Sequence, residues 1–166
     1  MYYFTNVINT LAFAKLAEHR VFKVSYRFEV LANDATVYMH FSMPSLAVVA
    51  SIITSIEIVT QGQGNVDISD SFTVSSAGTS VTPLNLFLGS SFSPTASVKR
   101  GGTYSDITNK LSYVVPGGTS VRAIGSTNVM GEFIMVPPGE ELLIQFTNTS
   151  GNANDCSISI VWIEAA

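Results

Sequence analysis

The chain has 166 residues and a mass of 17.8 kDa, which suits one ordinary domain and leaves too little for two. Apolar residues make up 46% but Asp, Glu, Lys and Arg together only 12%, about half of the roughly 25% usual in soluble domains; 21 Ser, 15 Thr and 10 Asn supply the missing polarity. A mean hydropathy of +0.35 and a net charge of −4 exclude a disordered chain and a nucleic-acid binder acting through bulk positive charge.

The charge is uneven. Residues 1–30 hold Lys15, Arg20, Lys23 and Arg27 against Glu18 and Glu29, a local +2 that leaves −6 for the rest. The leader MYYFTNVINTLAFAKLAEHR carries Tyr2, Tyr3, Phe4, Val7, Ile8, Leu11 and Phe13. Its helical spacing over residues 5–19 is ragged, so residues 1–20 read as an N-terminal arm or short helix ahead of a β-sandwich domain spanning 21–166. So much apolar surface does not stay in water. The expectation is that the arm packs between subunits or onto a larger surface, with Lys15 and Arg20 meeting acidic groups. The leader also lacks the basic start and apolar stretch of a secretory signal.

From residue 22 the dominant period is two, the pattern of strands with one buried face. FKVSYRFEV places Phe22, Val24, Tyr26, Phe28 and Val30 on one side and Lys23, Ser25, Arg27 and Glu29 on the other. After the turn signal Asn33-Asp34, strands are predicted at 35–41 and 52–60, the latter ended by the glycines of QGQGN, with shorter ones at 65–68 and 72–74. The run LAVVASIITSI at 46–56 is well short of the roughly 20 residues that cross a bilayer. Near the C-terminus strands are predicted at 132–136, 142–148 and 156–164, the last two joined by NTSGNAND, long enough for a hairpin connection. Gly101-Gly102, Gly117-Gly118 and Pro137-Pro138-Gly139 punctuate the second half at strand-like intervals. Many short strands with frequent turns predict an all-β fold, an antiparallel two-sheet sandwich of jelly-roll type.

Chemistry is sparse. The two histidines, His19 and His40, lack a serine elbow to serve. The lone Cys156 forms no internal disulfide and reads as a small buried hydrophobe. NVDISD offers Asn65, Asp67, Ser69 and Asp70 at alternate positions as calcium loops do, but lacks the loop glycine and the distal Glu. Lys99 and Arg100 before two glycines read as a hairpin tip. The sequon Asn148-Thr149-Ser150 reads as turn chemistry, and Glu140 and Glu141 do not form the converging pair a glycosidase needs. No enzyme activity, cofactor, metal, membrane or nucleic-acid partner is expected.

Three longer segments carry a pattern: SSAGTSVTPLNLFLGSS at 75–91, GGTSVRAIGS at 117–126 and GEFIMVPPGEELLIQFTNTSGNANDCSISIVWIE at 131–164. These resemble a group of small β-sandwich virion proteins of tailed bacteriophages, in which a G-T-x-[VL]-T-P-x-N-L segment recurs and the end runs through a Pro-Gly turn, a T-N-x-[ST]-G-x-A-N loop and a closing strand in Trp-x-Glu. The matching positions are Gly78, Thr79, Val81, Thr82, Pro83, Asn85 and Leu86, then Pro138, Gly139, Leu142, Leu143, Ile144, Thr147, Asn148, Ser150, Gly151, Ala153 and Asn154, then Trp162 and Glu164. AFAKLAEHRVFKVSYRFE at 12–29 is similar to that group's opening, although Ala14 stands where the group has glycine and Ile163 where it has an aromatic.

The resemblance implies a capsid decoration or cement protein, or a head-fibre protein. It would be made in the host cytoplasm and carried on the virion surface, self-associating, most simply as a trimer, and binding the major capsid protein or another virion protein. The alternative is a receptor- or carbohydrate-binding module, for which Tyr104 and Tyr113, in glycine-flanked segments, are the expected exposed aromatics.

Overall fold

Eleven residues of alternating character open the domain as strand β1, Val21–Leu31. A computed structural model describes residue 14, residues 18–116, the backbone of 125–128, and residues 133–165. The strands that follow are β2 (Thr36–Ser42), β3 (Ala50–Thr60), β4 (Gly64–Ser69), β5 (Thr73–Ser76), β6 (Thr79–Ser80), β7 (Leu84–Asn85), β8 (Ser97–Arg100), β9 (Thr103–Ser105), β10 (Leu111–Val115), β11 (Gly125–Asn128), β12 (Ile134–Val136), β13 (Glu141–Asn148) and β14 (Asn154–Ala165). All pairings are antiparallel.

The chain alternates between two sheets. One runs β11-β3-β14-β1-β7, with β12 also on β3; the other runs β10-β4-β13-β2-β8-β6. Thus β1, β14, β3 and β11/β12 lie in one layer, while their chain neighbours β2, β13, β4 and β10 lie in the other, and this is the rolled-up double layer of a jelly roll. The expected hairpin between the last two long strands is therefore corrected: β13 and β14 belong to different sheets, and NTSGNAND arches across the end of the sandwich. Lys99 and Arg100 likewise do not sit at a hairpin tip, because β8 pairs with β2 while β9 pairs with β5; Gly101 and Gly102, at φ 67° and 94°, turn the chain from one sheet into another.

The core follows the alternation. Phe22, Ile144, Phe146, Ile158, Ile160 and Trp162 are fully buried between the sheets, and the Trp162 ring meets Phe22 at 5.6 Å and Phe41 at 5.3 Å between centroids. Alternation fails once in β1. The register shifts between Phe28 and Leu31, so Leu31 turns inward while Val30, expected on the buried face, is 75% exposed with φ 52°. A β-bulge inserts one residue and exchanges the faces beyond it.

Residues 70–110, between β4 and β10, form an excursion that does two jobs. Short β7 pairs with β1, and β8 pairs with β2, so both sheets are covered along the side where β1 and β2 would otherwise present open backbone. The β5–β9 pair then lies over the outer face of the second sheet. Beneath it Leu143 and Ser69 are fully buried and His40 and Gln145 nearly so, although they alternate with the core-facing Phe41, Ile68 and Ile144.

Candidate interaction surface

Several of the polar residues that the sequence singled out are taken up by the scaffold. Asn148 is fully buried. Its amide donates to the carbonyls of Leu31 (2.9 Å), Ala32 (3.1 Å) and Asn152 (2.7 Å), and its oxygen accepts from the Ser150 N–H and hydroxyl. The sequon asparagine is thus the brace of the arch, with no amide free for a glycan. Glu164 is also buried; its carboxylate accepts the backbone N–H groups of Thr95 (2.7 Å) and Ala96 (2.9 Å). It pins the far end of the excursion to β14. Within the calcium-like run, Ser69 turns its hydroxyl to the carbonyls of Ser71 and Thr108, Asp67 accepts from Ser112, and Asp70 pairs with Lys110 at 3.6 Å. The four oxygens do not converge, and no cluster of three metal-ligating side chains exists among the described residues.

Tyr104 corrects an expectation. It is 8% exposed rather than ligand-facing, because the turn at Gly102 tucks its ring against Tyr38, His40 and Phe72, at centroid distances of 5.1, 5.6 and 5.8 Å. Burial pushes its hydroxyl up to about 12. Tyr113 is half-buried and packs against the core from β10. Tyr104 offers no free ring face to a sugar. The adjoining His40 Nε2 lies 3.3 Å from a Glu141 carboxylate oxygen, off the line of a hydrogen bond; desolvation holds its pKa below the usual value against the opposing pull of Glu141. Cys156, 1% exposed, has its thiol pushed up to about 12 by burial. Neither Tyr104 nor Cys156 is therefore held as an anion beside His40.

What remains is apolar surface, and its distribution is polar in the geometric sense. Strand register defines one end of the sandwich by the start of β1, the end of β14, the start of β3 and the turn before β13. Toward that end lie Leu46, Val48, Leu84, Leu86, Phe87, Leu88, Phe92, Phe133 and Met135, nine of the twelve large apolar side chains exposed among the described residues; Val30, Val74 and Val114 lie elsewhere. Leu46 and Val48 are 92% and 90% exposed on the β2–β3 loop, which Met43 fastens to the Pro137–Glu140 turn through the Met43 N–H to Glu140 and the Gly139 N–H to Met43.

The N-terminal root emerges at this same end. Arg20 holds its guanidinium 4.9 Å from the Phe92 ring centroid, so the basic residue expected at an interface is beside exposed aromatic surface. Tyr2, Tyr3, Phe4, Val7, Ile8, Leu11, Phe13 and Lys15 lie outside the described residues, as does Gly117-Gly118. Sequence reading did not single out 84–92 as surface, although PLNLFLGSSF breaks the period of two and carries no charge, which is the signal available. Next to it is a cleft of about 520 Å³ lined by Ser80, Thr82, Ser91, Ser93 and Phe92 among others. A second cleft of about 250 Å³ lies among Asp70, Lys110, Glu140, Glu141 and Met135.

No protein-family model matches the sequence, and no curated protein matches it. Among solved structures, the crystal structure of PirA is similar at 12% identity over 82% of this chain and 93% of that one, with a TM-score of 0.35. The ANX2 ectodomain from Arabidopsis thaliana is 12% identical over 87% of this chain and 29% of its own, with a TM-score of 0.18. Likenesses this slight carry no inference.

Proposed function

We propose that this protein is a non-enzymatic structural component of a tailed-phage virion, a decoration or cement protein that seats its apolar end on the head shell. The observation that carries the reading is the gathering of nine exposed apolar side chains at one end of a sandwich whose β1–β2 side is already covered by its own excursion. A surface of that kind favours association. Its partners are further copies of itself, as a trimer, and the major capsid protein. Each contact of about 1,000–2,000 Å² adds to the barrier against shell rupture. The motif residues are consistent with this: Trp162, Asn148 and Glu164 hold the scaffold, so the resemblance lies in how the sandwich is built.

The test is co-sedimentation with particles that lack this gene product. The protein is expected to saturate a fixed number of sites per particle and to raise the temperature of genome release. Particles that neither bind it nor gain heat resistance would refute the reading, and binding to a glycan array at micromolar strength instead would establish the receptor-module alternative.

A further inference from the structure

The loop 84–92 exposes Leu84 (54%), Leu86 (36%), Phe87 (40%), Leu88 (76%) and Phe92 (47%), an apolar ledge built on β7. The root of the N-terminal arm is fastened along it. The His19 ring stacks on Phe87 at 3.8 Å between centroids, 21° from parallel. The Asn85 side-chain amide donates to the His19 carbonyl at 2.8 Å, and the Ser90 hydroxyl lies 3.2 Å from His19 Nδ1. The Leu86 N–H donates to the Val21 carbonyl at 2.9 Å. The chain therefore arrives on the ledge already held, and the segment before it holds Tyr2, Tyr3, Phe4, Val7, Ile8, Leu11 and Phe13 among its first 13 residues.

We propose that residues 1–13 dock on the ledge of the same chain, covering Leu86, Phe87, Leu88 and Phe92. Two apolar surfaces, each unfavourable in water, are joined by a tether of a few residues, which sets a local concentration in the millimolar range or above. A neighbour's arm competes with that only if the chain's own arm is held away. On this reading the arm is taken up by its own ledge, and Leu46, Val48, Leu84, Phe133 and Met135 remain for partners. Thirteen residues reach at most about 45 Å when extended, ample for a ledge that starts beside the root.

Cysteine cross-linking tests this in the full chain. Leu88→Cys is combined in turn with Phe4→Cys, Val7→Cys and Leu11→Cys, and the protein is oxidised with diamide; the native Cys156 is buried and does not compete. At least one pair is expected to close within a chain, seen as a faster monomer band on a non-reducing gel that reverts on reduction. A disulfide-linked dimer in place of that band would give the ledge to a second copy and overturn the proposal, as would the absence of any cross-link. Limited trypsinolysis provides an independent reading, since Leu88 is 76% exposed and Leu88→Ser is expected to leave the fold intact. Cleavage after Lys15 is expected to speed up at least tenfold in Leu88→Ser, which leaves the His19–Phe87 stack in place, and an unchanged rate would overturn docking.

Discussion

The His40 imidazole sits 4% exposed beneath the β5–β9 layer, facing Phe72 and Tyr104 from that layer, Glu141 from β13 and Lys99 from β8. Neither ring nitrogen has a hydrogen-bond partner, so protonation would place a charge where no acceptor is aligned to receive it. Burial lowers its pKa, Lys99 adds to that, and Glu141 opposes it. A base whose folded pKa is depressed binds fewer protons folded than unfolded. Its contribution to stability is therefore complete above the unfolded value near 6.5 and is lost as pH falls below it. Urea denaturation is expected to show stability level above pH 7 and falling as pH drops below 6.5, by up to about 1.4 kcal/mol per pH unit, with the slope gone in His40→Leu. Asp155 acts in a separate window: the Val30 N–H and the Arg27 guanidinium hold its carboxyl below the usual value, so its contribution is lost only in stronger acid.

Val30, the same residue whose N–H Asp155 accepts at 2.9 Å, shows what the strand scale adds. At φ 52° it occupies the left-handed region that costs a β-branched residue roughly 1–2 kcal/mol. Being 75% exposed, its side chain contributes little packing in return. Val30→Asn, a residue that tolerates this backbone, is expected to stabilise by about 1 kcal/mol and raise Tm by about 2–4 °C; a lower Tm would mean that the bulge carries no strain. The bulge also marks a limit of sequence reading. The alternation of β1, β3 and β14 was legible because the core-facing side of each is the more deeply buried, and Trp162 and Ile158 were placed inward by it. Nothing in FKVSYRFEV signals the extra residue. Strands β6, β7 and β9 have two or three residues, too few for any period, and the β5–β9 pair buries Leu143 and Gln145 from a direction local pattern does not encode. The run LLIQF, apolar on both faces but for one residue, was the trace of that second cover. The candidate surface was legible only at its root, in the apolar leader and Arg20; the ledge at 84–92 arises from a loop whose exposure depends on where β7 docks.

At the scale of the molecule, the arch end and the opposite end differ in kind. The arch end is braced by Asn148 and its three backbone carbonyls, so its polar groups are satisfied internally and it has little to offer a partner. The other end presents Leu46 and Val48 almost fully to solvent on a loop closed by the Ala47 N–H to the Pro44 carbonyl at 3.0 Å. That backbone turn does not depend on either apolar side chain. Leu46→Ser/Val48→Ser is therefore expected to fold as the parent does, with Tm unchanged within about 1–2 °C, because exposed substitutions stay within about ±0.5 kcal/mol. Self-association behaves differently. Burying two such side chains per subunit contributes about 1.5–3 kcal/mol each, so their loss is expected to weaken assembly at least a hundredfold. Light scattering over a range of concentrations measures this directly: the parent should approach three times 17.8 kDa, and the double variant should stay at the monomer mass under the same conditions. A parent that remains monomeric when concentrated would remove the trimer from the proposed function. A variant that assembles as well as the parent would move the interface away from the β2–β3 loop.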